Sequence, residues 1–395
     1  MSHISTFSCR TEVIFGEGSV QKLSGVLTSQ QFTKLAVICD EGVRNAGLLD
    51  DVLAQIEVDG ASYSIFSDVE PNPSSRTVQK GQRFLSDSGA DAIIAVGGGS
   101  PLDTAKAVAV VATNPGDISQ YEGVDQFVNE PIPLIAIPTT SGTGSEVTNN
   151  TVITDLDRQY KFTVISRKLS PRWAIVDPLL TLTLPRHLTA STGLDALVHA
   201  IESYLSTAST PLTEALALEA IRVISGNLRQ AVYNGDNRKA RTDMLYGSLV
   251  AGLAFNHTRL GNVHAMSHPL SAMYQVPHGI ANSILLPHVM EFNRLAVPEK
   301  FVQIAKAMGE VNDESKSMLE LSKESVKAVQ RLAADIGIPE TFEEFNVREE
   351  SLLPMAKDAM KSGNILVNPR KTTIKDILDL YRKTLGRVHN EQPVV

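Results

Sequence analysis

Two stretches in the second half of this 395-residue chain carry residues that bind metals. Asp195 and His199 stand four apart in GLDALVH, and His264 and His268 stand four apart in VHAMSHP, with His278 following in PHG. On a helix, positions i and i+4 share one face about one turn apart. One Asp and three His, with no thiolate, suit Fe(II), Zn(II) or a similar divalent ion. One open coordination position would admit a substrate oxygen. The chain has nine histidines, and three fall within residues 264–278. Singly, each is as readily structural, and spacing alone leaves open which of them ligate.

The first half carries a different chemistry. Gly97, Gly98, Gly99 and Ser100 follow an apolar run and precede a helical stretch, Thr104 to Ala112. Glycines let backbone approach a ligand, and a helix N-terminus offers free N–H groups to a pyrophosphate. The spacing is not G-x-G-x-x-G, so the ordinary Rossmann fingerprint is absent. A second polar loop, PTTSGTGSE at 138–146, also follows an apolar run. Asp40 ends a third, where a carboxylate would accept from a ribose 2′-OH and repel a 2′-phosphate, favouring NAD over NADP.

These groups need elements to hold them. Short apolar runs at 34–40, 90–96, 133–138 and 171–178 alternate with helix-forming stretches, the pattern of a parallel sheet covered by helices. Beyond about residue 186, helical patterns dominate, at 193–206, 211–233, 240–255 and 298–308. The expected fold is an α/β dinucleotide-binding domain with a parallel sheet (1–185), then an all-α metal-binding domain (186–395). A cleft between domains is a common ligand site.

Composition narrows the class. Hydrophobic residues are 43% and charged residues 20%, which supports a full core and solubility. A net charge of −8 argues against nucleic acid and anionic membrane as partners. No apolar run approaches the roughly 18 residues of a membrane span, and MSHISTFSCRTE has no secretory apolar region. Cys9 and Cys39 are the only cysteines, which excludes a disulfide framework and a Cys-ligated zinc and predicts a reducing, cytoplasmic setting. The Asn-x-Thr sequons at Asn149 and Asn256 read as chance in such a chain.

Together, in order, FGEGS at 15–19, PNP at 71–73, GGGS at 97–100 with Asp103, PTTSGTGSE at 138–146, TGLDALVHAIE at 192–202, HAMSH at 264–268, PHG at 277–279 and NPR at 368–370 resemble the iron-containing (group III) alcohol dehydrogenases. The resemblance runs from about residue 12 to about 385. It implies metal ligation by Asp195, His199, His264 and His278, with His268 as a nearby proton relay. It implies a dinucleotide pocket at Asp40, Asn72, Gly98, Gly99, Ser100, Asp103, Thr139, Thr140, Ser145 and Lys161. Asn150 and Phe255 match positions on the substrate side. The implied activity is interconversion of a small primary alcohol and its aldehyde with NAD(H), in the reductive direction, by a homodimer or larger homo-oligomer.

One segment departs from the family pattern. His257, Arg259 and Asn262 stand where small or neutral residues are usual. Because Arg offers a planar fork of donors to anionic oxygens, Arg259 raises the expectation of an anionic short aldehyde such as sulfoacetaldehyde. The bland alternative places Arg259 at the surface. Outside the class, the related dehydroquinate synthase fold offers a lyase reading, in which NAD is returned unchanged.

Overall fold

The computed structural model describes residues 4–158, 160–310 and 315–386. Nine strands are present among them: β1 (Glu12–Phe15), β2 (Lys34–Ile38), β3 (Ser62–Phe66), β4 (Ala92–Gly97), β5 (Gly123–Val124), β6 (Leu134–Pro138), β7 (Asn150–Asp155), β8 (Tyr160–Ile165) and β9 (Trp173–Val176). Six form a parallel sheet in the order β1-β9-β6-β4-β2-β3. β2, β4 and β6 are aliphatic almost throughout because both faces are covered. Alternate residues point to opposite faces. Leu35 and Val37 pack with Val52 and Ile56 on one side, while Ala36 and Ile38 pack with Val78, Leu102 and Val108 on the other. The loops after β2, β4 and β6 therefore emerge side by side at the carboxyl edge, where ligands of open α/β sheets collect.

The four expected strands are all present, each shortened or shifted by one or two residues. The sequence reading missed β1 and β3, which lie at the two sheet edges, and the antiparallel β7–β8 hairpin with its short partner β5. β7 and β8 alternate buried and part-exposed positions over much of their length and carry many polar residues, so no continuous apolar run marks the hairpin.

After Pro185 the described chain is helical. The Arg186–Leu205 helix runs through the middle of the second half and is buried along nearly its whole length. It begins seven residues before the expected start at Gly193, because buried Thr189 and Ser191 interrupt the apolar pattern. Around it lie helices Pro211–Tyr233, Arg238–Thr258, Asn262–Tyr274 and His278–Arg294. The two halves interlock through the 138–148 loop. Gly144, at φ +59, sits so close to Gly252 of the Arg238–Thr258 helix that a Cβ on it would lie 2.7 Å from the Gly252 Cα. Val147, Ala174, Val176, Leu245 and Leu249 form a small apolar cluster across the same seam.

Candidate active site

The Arg186–Leu205 helix carries Asp195, His199 and Glu202, and the Asn262–Tyr274 helix carries His264 and His268. Asp195, His199 and His264 each place a ligand atom within 4.8 Å of the others, and all three are buried. His264 Nε2 lies 3.8 Å from Asp195 Oδ1. The His199 ring is stacked between Phe255 and His264, with centroids 4.5 and 4.6 Å away. His278 opens the next helix, its ring 5.3 Å from His264 and 5.7 Å from His268. The structure thus draws three of the expected ligands into one set and leaves His278 at its rim, with its Nδ1 buried and without a partner among the described residues.

Orientation of these rings comes from groups the sequence reading gave no role. Glu202 Oε2 accepts from His264 Nδ1 at 2.6 Å, and the Val263 N–H donates to Oε1 at 2.7 Å. With the proton held on Nδ1, the Nε2 lone pair of His264 faces the cluster, as metal-binding imidazoles require. His199 Nδ1 lies 3.2 Å from the Gly142 carbonyl, which fixes the same tautomer there. Burial pushes Glu202 up to about 7, against the pull of the Val263, Gly261 and His264 N–H groups. Burial lowers His264 and His268 to about 3 and His278 well below the usual imidazole range, aided at His268 and His278 by the Lys161 charge. These three imidazoles are neutral at physiological pH, the form that ligates or accepts a proton.

Facing them is the carboxyl edge of the sheet. A Cβ on Gly98 would press on Thr140 at 3.2 Å, and one on Gly99 on Thr143 at 2.9 Å. The glycines therefore serve the close packing of the two loops as well as any ligand. The helix begins at Gly99 itself, so Gly99 and Ser100 lie in its first turn and Asp103 is inside it. Asp103 accepts from Ser145 Oγ at 2.8 Å and from the Val152 N–H at 3.0 Å, and its carboxyl is pushed up by burial. Thr139 is buried, with its N–H bonded to the Gly97 carbonyl, while Thr140 and Ser100 stay partly exposed. Asp40 caps the short helix Glu41–Asn45 through Oδ1, which accepts from the Val43 N–H at 2.8 Å. Asn72, at φ +56, accepts from Lys161 Nζ at 2.7 Å. Burial lowers Lys161 to about 8, while Asp103 and Asp195 pull it back up. Lys161, on the hairpin the sequence did not reveal, lies electrostatically between the sheet edge and the metal-binding cluster.

Beneath these loops is Lys106, fully buried. Its Nζ reaches Ser145 Oγ at 2.9 Å and Thr148 O, Thr148 Oγ1 and Asn150 O at 3.0 Å each. It ties the 138–148 loop to the start of β7, where Asn150 sits. An apolar helix, AKAVAVVA, hides this lysine from pattern reading.

The departures from the family pattern mostly turn away from the cluster. His257 packs at a tilt against Phe7 with ring centroids 4.3 Å apart, and buried Asn262 donates to Thr372 Oγ1 at 2.9 Å. Arg259 is exposed at the C-cap of its helix, with its guanidinium against Gly363.

The donor set passes a test of fit for a divalent ion. It is oxygen and nitrogen only and buried, with the second nitrogens of His199 and His264 anchored by the Gly142 carbonyl and Glu202. Two family descriptions match nearly the whole chain: iron-containing alcohol dehydrogenase over residues 10–178, and the C-terminal part of the Fe-containing alcohol dehydrogenase family over 189–385. The chain is 44% identical to a 1,3-propanediol dehydrogenase of Citrobacter freundii, over 89% of this chain and 91% of that protein. A solved 1,3-propanediol oxidoreductase superposes with a TM-score of 0.94 at 40% identity, covering 97% of this chain and all of the other. A sulfoacetaldehyde reductase from Bifidobacterium kashiwanohense, solved with NAD+, gives 0.88 at 27% identity, covering 98% of this chain and all of the other.

Proposed function

The chain belongs to the iron-containing alcohol dehydrogenase family, and on that premise we propose that it reduces a small neutral aldehyde to its primary alcohol with NADH, reversibly. One observation carries this reading: in the buried Asp195–His199–His264 cluster, His199 lies 3.2 Å from the Gly142 carbonyl of the loop after β6, and the Lys161 charge acts on both Asp195 and Asp103. Asp195, His199, His264 and His278 would hold the ion, which suits Fe(II) and accepts Zn(II). When bound, the ion supplies Lewis acidity to an alcohol or aldehyde oxygen and the nicotinamide supplies or takes the hydride.

The protein's own residues do the rest. Glu202 and the Gly142 carbonyl hold His264 and His199 in the ligating tautomer. His268, neutral and partly buried beside His278, accepts or returns the hydroxyl proton. Gly98, Gly99, Ser100, Thr139, Thr140 and the helix N-terminus at Gly99 cradle the pyrophosphate. Asp103, Ser145, Asn72 and Lys161 brace the nicotinamide side, and the second oxygen of Asp40 selects NAD. Phe255 and Asn150 wall the substrate.

Residues 1–185 act as the cofactor unit and 186–395 as the metal and substrate unit. Among the described residues β1 pairs with β9 alone and leaves its other edge open, which supports a homo-oligomer. Two unpaired cysteines support a cytoplasmic setting. The exposure of Arg259 favours a neutral substrate over an anionic one. The test is kcat/KM for NADH oxidation by Fe(II)-loaded, anaerobically handled enzyme on propionaldehyde and sulfoacetaldehyde. Equal rates or a preference for propionaldehyde are expected. A preference for sulfoacetaldehyde of about a hundredfold, near 3 kcal/mol of transition-state binding, would overturn the neutral reading.

A further inference from the structure

Asn282 lies one helical turn beyond His278 on the same helix and is completely buried. Its amide nitrogen is 2.6 Å from Asp195 Oδ1, 3.0 Å from His264 Nε2 and 3.1 Å from His278 Nε2. Those are three of the atoms that the metal reading needs as ligands, and this nitrogen is the group that joins His278 to the rest of the set. The other end of the same amide, Oδ1, is buried with no partner among the described residues.

Two facts about the chemistry make this arrangement informative. The lone pairs that accept from an amide N–H are the ones that would bond an ion. At His264 the point is fixed, because Nδ1 carries its proton toward Glu202 and leaves only Nε2 to accept. The amide and an ion therefore compete for the same donors. An –NH2 group left facing a cation at close range would be repelled, while a buried carbonyl oxygen without a partner is itself destabilising. One motion relieves both. The Cβ–Cγ torsion of Asn is broad and roughly two-fold, and the two ends of its amide are nearly the same size.

We propose that Asn282 is a reversible amide ligand of the metal centre. Its amide already lies against Asp195 Oδ1, His264 Nε2 and His278 Nε2, and half a turn about Cβ–Cγ would present its carbonyl oxygen to an ion held by those atoms as a further ligand. The inference rests on reading Asp195, His199, His264 and His278 as a metal site. An added neutral oxygen suits Fe(II), which accepts higher coordination, better than a closed four-coordinate zinc.

The test uses Co(II) as a visible probe in the full-length chain, because four-coordinate Co(II) absorbs more strongly in the visible than five- or six-coordinate Co(II). Stoichiometry, spectrum and chelator-competed affinity are measured for the wild type, Asn282→Ala and Asn282→Asp, with melting of each metal-free protein. The Ala variant should absorb more strongly per Co(II), bind it about tenfold more weakly, and melt lower when metal-free. The Asp variant restores an oxygen but not the –NH2, so its Co(II) spectrum should stay like the wild type's. Its metal-free form should melt lowest, with a second carboxylate beside Asp195. An Ala variant with the wild-type spectrum and affinity would overturn the proposal, as would an Asp variant that spectrally resembles Ala. If the wild type fails to take up one Co(II) per chain, the metal reading itself falls, and that failure is seen before any variant is compared.

Discussion

Replacing Glu202 by Gln changes one atom in shape and a great deal in hydrogen bonding. In the native site Oε1 accepts from the Val263 N–H at 2.7 Å and Oε2 accepts from His264 Nδ1 at 2.6 Å. Both partners are donors, and an amide offers only one acceptor end. If the glutamine oxygen stays on Val263, its –NH2 faces His264 Nδ1. That nitrogen must then give up its proton, which moves to Nε2, the atom facing Asp195 and His199. If the amide turns over, –NH2 meets the Val263 N–H, donor against donor, in a buried site. Loss of such an outer partner weakens metal binding about 10- to 100-fold, and a forced tautomer places this case at the upper end. A hundredfold is about 2.8 kcal/mol at roughly 1.4 per decade. The assay is competition between the metal-free protein and a chromophoric chelator for Zn(II), with far-UV circular dichroism to show that the fold persists. Affinity within about threefold of the wild type would refute the claim that Glu202 fixes the His264 tautomer.

Two further changes probe the sheet side. Lys106→Met takes the ammonium donor away from Thr148 O, Thr148 Oγ1 and Asn150 O, along with a cation that acts on Asp103 and Glu146, and should lower stability by about 3 kcal/mol near neutral pH, read from the urea midpoint. The pH dependence has a definite sign. Burial lowers Lys106 from 10.5 to about 8, so across that window the unfolded chain holds more protons and this group's contribution to stability rises with pH. Glu146 is raised from 4.5 to about 7 by burial, so its contribution falls as pH climbs through that range. The variant should lack the alkaline rise and lose more stability at neutral pH than at about pH 5; equal losses at both would count against the buried charge network. Asp40→Ser keeps a cap for the Val43 N–H but removes the charge that would face a 2′-phosphate, so the kcat/KM ratio of NADPH to NADH should rise about tenfold or more. An unchanged ratio would remove Asp40 from the cofactor pocket.

How far the sequence revealed this molecule depended on the kind of signal each element leaves. Buried parallel strands such as Ile93–Val96 are continuous apolar runs, and the helix from Pro211 to Tyr233 announces both ends with Thr210–Pro211 and Asn234. The hairpin carrying Asn150 and Lys161 left no such run, because it alternates polar and apolar residues at a part-exposed surface. Its two site residues were reached only through family resemblance. Asp195, His199 and His264 were legible from i, i+4 spacing, and they converge. Glu202, Asn282 and Lys106 were not, because a buried carboxylate, amide or ammonium gains its meaning from a partner distant in sequence. His264 is 62 residues from Glu202, and Asn282 is 87 from Asp195. Glu202 did leave a trace, three positions after His199 on the same helix. Arg259 shows the converse: a residue of suggestive type beside a ligand histidine, which the chain turns outward at a φ of +58.

The most direct test of the central claim, a metal-dependent and nicotinamide-linked oxidoreductase centred on Asp195, His199 and His264, is NADH consumption with propionaldehyde by one protein sample in three states. These are loaded anaerobically with Fe(II), stripped by a chelator, and reloaded. Turnover in the first state, its loss in the second and its return in the third is the expected result. NADH oxidation that survives complete removal of metal would contradict the claim, and so would a fully loaded enzyme that leaves NADH unconsumed with propionaldehyde and other short aldehydes.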